Sequence, residues 1–268
     1  MNVKGWAMDF QALRLARRGE VLEVTIDHPR SELNAVDGLL HDELARLFRA
    51  LRNEREARAV LLTGSKRTFC AGGDFAWLAE LRGLEKLEPL RRDARQLVWD
   101  LLDVELPIVA ALNGPAVGLG SSIALLFDVI LAADTASIAD PHVRVGIVAG
   151  DGGVAIWPLV LGPARAKELL LTGDRVDATT ALRWGLVNRV VPAGELLDAA
   201  RAMADRLAAG APLAVRYTKM AINKWIRATA ETAFDYSTAL EIVTFQSDDH
   251  REALAAIREK REPRFEGR

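Results

Sequence analysis

The chain has 268 residues, half of them apolar, and its 35 basic and 37 acidic residues leave a net charge of −2. This length is enough to bury a sizeable core, and the near balance of charge argues against a nucleic-acid partner. The single cysteine, Cys70, excludes an intramolecular disulfide and fits a reducing compartment. We find no apolar run near the roughly 20 residues that cross a membrane, and no apolar signal region. We therefore expect a cytoplasmic protein without a membrane partner.

Strands and helices alternate through the first part of the chain. The alternation in "VLEVTID" (21–27) predicts a half-buried strand, and the apolar stripe of 38–54 predicts an amphipathic helix. The apolar runs at 57–65 and 106–114 predict buried strands, and 84–103 is a polar helical segment. Strands that alternate with helices indicate an α/β fold with a parallel sheet.

The pattern changes after about residue 160 and becomes helical from residue 194 onward. Three helices are predicted there, at 194–209, 212–228 and 231–260. We divide the chain into a core domain at 1–200 and a helical C-terminal oligomerisation region at 201–268. Amphipathic helices with little sheet to cover would sensibly pack on another subunit, although packing on their own domain is nearly as well supported by the pattern.

Two glycine-rich loops each follow a buried strand. The first, "TFCAGGDFAWL" (68–78), contains Gly72 and Gly73, and Asp74 is well placed to cap the segment that follows. The second, "NGPAVGLGSS" (113–122), opens a helix whose first N–H groups have no partner within the helix. Each loop alone is most simply a strand-to-helix turn. Together they could aim one N–H apiece at a single substrate oxygen, which is the arrangement of an oxyanion hole.

These segments resemble those of the enoyl-CoA hydratase/isomerase (crotonase) superfamily. Six segments match the family pattern in the same order along the chain. They are "SELNAV" (31–36), "FCAGGDFAWL", the segment from Pro107 to Asp134, the segment from Val143 to Gly153, "LLLTGDRVDATTALRWGLVNRVVP" and "DHREALAAIREKREPRF". The resemblance covers about residues 10–266. It implies a crotonase-like ββα spiral with a C-terminal helical trimerisation region, and a homotrimer or homohexamer. It also implies an acyl-CoA substrate, an enolate intermediate, and no cofactor other than the coenzyme A carried by that substrate.

The resemblance carries specific roles to matching positions. It places the two oxyanion N–H groups on Gly73 and Leu119, where relatives often have glycine at the second position. It implies substrate-binding roles for Ser31, Leu33, Ala35, Ala71, Asp74, Phe75, Val117 and Gly118 and, from a neighbouring subunit, for Lys260 and Phe265. A solvated helix end is an equal alternative for the last two residues. No metal ligand is implied.

Two positions depart from the family pattern. Typical hydratases carry two glutamates that handle the water and the proton, and the matching positions here are Ser122 and His142. A serine hydroxyl has no accessible charged form near neutral pH, so Ser122 cannot replace a carboxylate base. The sequence therefore puts ordinary hydration by a glutamate pair in doubt.

A histidine and an aspartate remain in the loop "DPHVRVGIVAGDGG" (140–153). We predict that Asp151 is an acid/base in the pocket and that His142 is its partner, since the pKa of histidine lies near neutrality. In the alternative interpretation, Asp151 only stabilises a turn and His142 only bonds to backbone. The pattern predicts that two other histidines, His41 and His250, lie on helix surfaces.

Three functions stay open. The first is an enoyl-CoA hydratase/isomerase-like lyase that acts on an acyl-CoA thioester through an oxyanion-stabilised enolate. The second is a carbon–carbon hydrolase of β-diketones that uses His142 and Asp151 to activate water. It is suggested by the resemblance of "AGDGGVAIWP", with Trp157, to the 6-oxocamphor hydrolase branch. The third is a non-catalytic acyl-CoA-binding pseudoenzyme, suggested by the loss of both glutamates.

Overall fold

A six-stranded sheet forms the centre of the computed structural model, which describes residues 9–268. The strands of this sheet and of a second, three-stranded sheet are, in chain order, β1 (Leu13–Arg18), β2 (Val21–Ile26), β3 (Ala59–Gly64), β4 (Ile108–Leu112), β5 (Ala116–Val117), β6 (Val129–Ala133), β7 (Ser137–Ala139), β8 (Val176–Asp177) and β9 (Arg189–Val191). The larger sheet has the spatial order β1-β2-β3-β4-β6-β9. Its strands are parallel from β2 to β9, and β1 is antiparallel to β2. The predicted parallel α/β sheet is therefore confirmed.

Helices cover this sheet and extend beyond it. They are α1 (Gly38–Leu51), α2 (Phe75–Glu80), α3 (Leu84–Leu102), α4 (Leu119–Ala124), α5 (Gly153–Leu161), α6 (Pro163–Thr172), α7 (Ala178–Trp184), α8 (Leu196–Ala208), α9 (Pro212–Phe245) and α10 (Asp248–Glu259). Of the two central strands, β4 is buried over its whole length and β3 over its first four residues, as their apolar sequences predict. Loops that follow parallel strands meet at one edge of the sheet, and here this edge carries both glycine-rich loops.

The C-terminal helices differ from the prediction in one respect. The predicted break between 212–228 and 231–260 is wrong, because α9 runs without interruption through 34 residues from Pro212 to Phe245. Between Leu213 and Phe245 the sequence has no glycine and no proline, so nothing in it stops the helix. The break comes instead at Ser247, whose side chain accepts a hydrogen bond from the His250 N–H and caps α10.

The C-terminal helices also pack on the rest of the same chain. The predicted boundary between residues 200 and 201 falls inside α8, which packs on β3 and β4. In turn, α9 packs on α3 and α5, and Trp99 meets Phe234 edge-on with ring centroids 5.1 Å apart. The division into two regions stays a prediction. Within residues 9–268 the structure contains no helix that is both long enough and apolar enough to cross a bilayer.

Candidate active site

The two glycine-rich loops lie against each other. Gly72 has φ +79° and Gly118 has φ +54°, a region that side-chain-bearing residues rarely adopt. A Cβ on Gly72 would lie 3.0 Å from the carbonyl oxygen of Val117. Both positions therefore need glycine, for backbone conformation and, at Gly72, for close approach.

The amides of Gly73 and Leu119, one in each loop, are not used by the backbone pairing of the described residues. Val36 and Gly73 form a parallel bridge in which the N–H groups of Val36 and Asp74 make the hydrogen bonds, so the N–H of Gly73 is not used. In the second loop, the N–H of Gly118 donates to the Ala139 carbonyl, and Leu119 follows as the first residue of α4. Neither Gly73 nor Leu119 donates a backbone hydrogen bond to any residue from 9 to 268. Both line the same cavity.

This cavity has a volume of about 400 Å³, within the range of small-molecule sites. Its wall is mostly apolar, with contributions from Trp77, Leu78, Leu90, Ile147, Ile242 and Phe245. The structure brings together there all four predicted catalytic residues, Gly73, Leu119, His142 and Asp151, and four predicted substrate-binding residues, Ala71, Phe75, Val117 and Gly118.

The remaining predicted substrate-binding residues lie outside the cavity wall. Asp74 caps α2, where its carboxylate accepts a hydrogen bond from the Trp77 N–H at 2.9 Å, as predicted. Ser31 Oγ accepts hydrogen bonds from the N–H groups of Leu33 and Ala35 and so fixes their turn. At the other end of the chain, Lys260 ends α10 in the left-handed conformation, and Phe265 is about half exposed. The substrate-binding roles of these six residues stay predictions.

Asn34, in the middle of "SELNAV", explains why that segment has its shape. Asn34 is fully buried with φ +51°. Its amide nitrogen donates to the carbonyls of Ile26 and Thr68 at 3.1 Å each, and its amide oxygen accepts from the His28 N–H at 3.0 Å. The side chain therefore joins the end of β2 to the first glycine-rich loop, a role that the sequence interpretation missed.

A chain of hydrogen-bonding groups lies beside the amides. His142, in a 3₁₀ turn, faces Asp140 through Nδ1, and its Nε2 lies 3.4 Å from Asp151 Oδ2. Ser122 Oγ donates to the other oxygen of Asp151 at 3.2 Å. The predicted contact between His142 and Asp151 is thus present. The serine at the lost glutamate position serves as a hydrogen-bond donor to the new carboxylate.

Burial and mutual charge set the protonation of this pair. Burial alone would lower the pKa of His142, but the carboxylates of Asp140 and Asp151 raise it well above its ordinary value. Burial opposes ionisation of Asp151, yet the charge and hydrogen bonds of His142 and Ser122 lower the Asp151 pKa below its ordinary value. At neutral pH the cavity therefore holds an imidazolium beside an aspartate carboxylate.

A second carboxyl group enters the same cavity from α9. Glu241 is buried, and burial followed by the charge of Asp151 raises its pKa well above the ordinary value. Glu241 therefore keeps its proton to a higher pH than an ordinary glutamate, whereas Asp151 stays ionised to a lower pH than an ordinary aspartate. Two carboxyl groups whose environments push their pKa values apart are suited to opposite roles in proton transfer.

The sequence interpretation missed both Asp140 and Glu241. Asp140 stands two residues before His142, so its place in "DPHV" was an available signal. Glu241 lies 90 residues after Asp151 on a helix without any local motif, and only the fold brings it to the cavity.

Two other predictions are corrected: His41 and His250 are buried, not exposed on helix surfaces. Trp157 is fully buried in the main core and is not part of the cavity wall.

One ligand atom from each of Asp140, His142 and Asp151 lies within 4.8 Å of the other two, a spacing that a metal ion could bridge. However, each ring nitrogen of His142 already faces a carboxylate oxygen. We therefore interpret the group as a proton-handling chain.

Comparisons with known proteins agree with this architecture. The family model for enoyl-CoA hydratase/isomerase matches residues 16–268. Carnitinyl-CoA dehydratase from Proteus mirabilis is 38% identical over 267 residues, which cover 96% of this chain and 99% of that protein.

Two solved structures show the same fold. An enoyl-CoA hydratase/isomerase from Mycobacterium paratuberculosis has a TM-score of 0.88 and 37% identity, covering 93% of this chain and 99% of the other. A β-diketone hydrolase from the cyanobacterium Anabaena, bound to (S)-3-oxocyclohexyl acetic acid, has a TM-score of 0.83 and 31% identity, covering 88% and 94%. The chain therefore belongs to the enoyl-CoA hydratase/isomerase (crotonase) superfamily, as its loop motifs indicated.

Proposed function

We propose that this enzyme acts on an acyl-CoA thioester through an enolate held by the N–H groups of Gly73 and Leu119, with Asp151 as the base. One observation carries the proposal: two unpaired amides and an ionised, buried carboxylate line one cavity. Amides that are fixed by the fold stabilise a developing oxyanion without reorganising during the reaction.

Dehydration of a 3-hydroxyacyl thioester, and its reverse, fits these groups best. Asp151 removes the proton from the carbon next to the thioester carbonyl, and the bonding electrons move onto the carbonyl oxygen. When the carbonyl re-forms, the carbon–oxygen bond at position 3 breaks, and the leaving hydroxyl takes the proton of Glu241 to become water. His142 stays protonated between Asp140 and Asp151 and keeps the base ionised. The resemblance to carnitinyl-CoA dehydratase supports this direction of chemistry.

Turnover assays test the reaction directly. We expect the purified protein to convert carnitinyl-CoA or 3-hydroxybutyryl-CoA to the conjugated thioester, followed by the absorbance of the new double bond. The Asp151→Asn variant provides the matched control for contaminating activity. Absence of turnover with both thioesters, together with absence of acyl-CoA binding by calorimetry at millimolar concentration, would remove the acyl-CoA assignment.

Hydrolysis of a β-diketone is the second candidate. The same cavity could hold a diketone, with Asp151 activating water that adds to one ketone while the amides hold the departing enolate. The likeness to the Anabaena β-diketone hydrolase supports this alternative. Incubation with bicyclic β-diketones separates the two candidates, because only the hydrolase forms a carboxylic acid without coenzyme A. A non-catalytic acyl-CoA binder is less well supported, because a binder gains nothing from a buried base with a shifted pKa.

We also propose a homotrimer or homohexamer in the cytoplasm, with no cofactor apart from coenzyme A on the substrate. Leu213, Tyr217 and Trp225 on α9 are each about 60% exposed, and a large apolar surface of this kind favours a protein partner. Light scattering gives the mass in solution. Turnover that survives dialysis against a chelator would support the absence of a metal cofactor.

A further inference from the structure

His250 connects the start of α10 to the loop that carries His142. It lies in the first turn of α10 and is 3% exposed. Its Nδ1 atom lies 2.6 Å from the backbone carbonyl oxygen of Val145. Val145 ends the 3₁₀ turn that begins at His142, and it lines the catalytic cavity, whereas His250 does not. His250 therefore contacts the backbone of the catalytic loop from behind the cavity wall.

The proton of this hydrogen bond belongs to the His250 ring. Burial lowers the pKa of His250 below its ordinary value, although the backbone groups of Val145 and Leu78 oppose this effect. A neutral imidazole carries one N–H, and a carbonyl oxygen can only accept. Because two acceptors would repel each other at 2.6 Å, the proton is on Nδ1. Nε2 is then a buried acceptor without a hydrogen-bond partner among residues 9–268.

Two further contacts hold the same loop on the junction between α9 and α10. Thr244 Oγ1 accepts a hydrogen bond from the Val148 N–H at 3.1 Å. Gly146 has φ +71°, and a Cβ at this position would lie 2.9 Å from the backbone nitrogen of His250. The loop therefore packs directly on the backbone of this junction, and the His250 side chain supplies one of its hydrogen bonds.

A shift of the 3₁₀ turn would move His142 relative to its catalytic partner. Val145 belongs to the same turn as His142, whereas Asp151 lies further along the chain, just before α5. The His142 Nε2 atom is 3.4 Å from Asp151 Oδ2, near the limit of a hydrogen bond. A displacement of about 1 Å at the turn would therefore break the contact, and errors of this size can cost about 10²-fold in rate.

We propose that His250 is a positioning residue for His142, because its hydrogen bond to the Val145 carbonyl fixes the turn that keeps His142 beside Asp151. This inference rests on the proposed function in that it takes His142 and Asp151 as the acid/base pair. His250 does not contact the substrate in this role and transfers no proton.

Two variants separate the hydrogen bond from the packing of the ring. His250→Phe keeps an aromatic ring against Phe245, whose centroid is 5.1 Å away, but removes the donor. His250→Asn removes the ring and keeps an N–H donor near the Nδ1 position. In His250→Phe we expect kcat with 3-hydroxybutyryl-CoA to fall about tenfold and the dissociation constant of butyryl-CoA to stay within about threefold. The pKa of His142, followed by NMR, should fall as Asp151 becomes more distant. His250→Asn should recover most of both values.

The outcomes distinguish positioning from a purely structural role. Wild-type kcat and an unchanged His142 pKa in His250→Phe would overturn the proposal. Equal losses in the two variants would also overturn it, because they would show that the ring packing matters and the donor does not. If His250→Phe does not fold, nitrogen NMR of the wild type decides: a proton on Nδ1 of His250 supports the proposal, and a proton on Nε2 overturns it.

Failure of the proposed function would give a different result. In that case neither thioester is turned over or bound by the wild type. The His142 pKa and the His250 tautomer are measured without substrate, so they still test the positioning role.

Discussion

The two glycine-rich loops and the acid cluster, which consists of Asp151 and Glu241, line the same cavity but contribute different kinds of chemical group to it. The loops present main-chain N–H groups, and their shape depends on Gly72, Gly118 and the Asn34 side chain. The acid cluster presents side chains of Asp151 and Glu241 from separate elements. A main-chain N–H does not depend on the side chain of its own residue, so a leucine at position 119 is compatible with the oxyanion role that we propose for it. Acidic side chains can be supplied by different elements of the fold while the main-chain donors stay in the same loops. This accounts for a family fold in which Ser122 and His142 occupy the positions where typical hydratases carry glutamate.

Apart from substitution of Asp151 itself, removing a main-chain donor should have the largest effect. Gly73→Pro deletes one N–H and should lower kcat by about 10²- to 10³-fold. Gly73→Ala keeps the N–H and meets only the flexible Leu78 side chain at 3.0 Å, so it is the matched control. Steady-state kinetics on both variants, with melting temperatures to confirm folding, measure the difference. Equal losses in the two variants would show that crowding, and not the amide, is responsible.

Glu241→Gln should come next, with a loss of about 10²-fold in kcat, because the amide cannot give a proton to the leaving group. The shape and the hydrogen-bonding reach of the side chain are kept. Substrate binding, measured by calorimetry, should change little. Turnover at the wild-type rate would exclude Glu241 as the acid.

The same substitution predicts a pH-dependent change in stability. In the unfolded chain Glu241 ionises near its ordinary value of about 4.5, whereas in the fold its pKa is raised well above that value. The folded state therefore holds a proton that the unfolded state releases, and Glu241 destabilises the fold increasingly as pH rises from about 4.5 toward the folded pKa. Urea unfolding at pH 5 and pH 7 should show the glutamine variant gaining relative stability at the higher pH, by about 1 kcal/mol or more. A constant difference between the variants would contradict the raised pKa.

Asp140→Asn should have a smaller effect on turnover, about 10- to 100-fold, because Asp140 positions and charges His142 without reaching the cavity. The diagnostic measurement is the pKa of His142, followed by NMR. Loss of the Asp140 carboxylate should lower it. An unchanged His142 pKa would mean that Asp151 alone sets the charge of the ring.

Ser122→Ala should have the smallest effect, a loss of a few fold in kcat and about 1–2 kcal/mol in the free energy of unfolding. Ser122 donates one hydrogen bond to Asp151, which His142 still contacts in the variant. A loss as large as that of Glu241→Gln would mean that the serine has a direct catalytic role.

The sequence predicted the loops better than the acid cluster, for a physical reason. Gly72, Gly73 and Gly118 sit in short local motifs beside apolar strands, and local motifs determine local backbone shape. His142 and Asp151 shared one loop and were also predictable. Glu241 reaches them through packing between α5 and α9, and no local pattern encodes that contact. The helix break predicted near residue 230 is wrong because the prediction rested on apolar periodicity, whereas this part of the sequence contains no glycine or proline that would end a helix.

The central claim is that Asp151 performs proton transfer beside amides that bind the substrate oxygen. The most direct test is to measure kcat and the dissociation constant for the same acyl-CoA in the wild type and in Asp151→Asn. We predict that kcat falls by about 10³-fold while the dissociation constant stays within about threefold. Unchanged turnover in the variant would contradict the account, as would a loss of binding large enough to explain the lost activity.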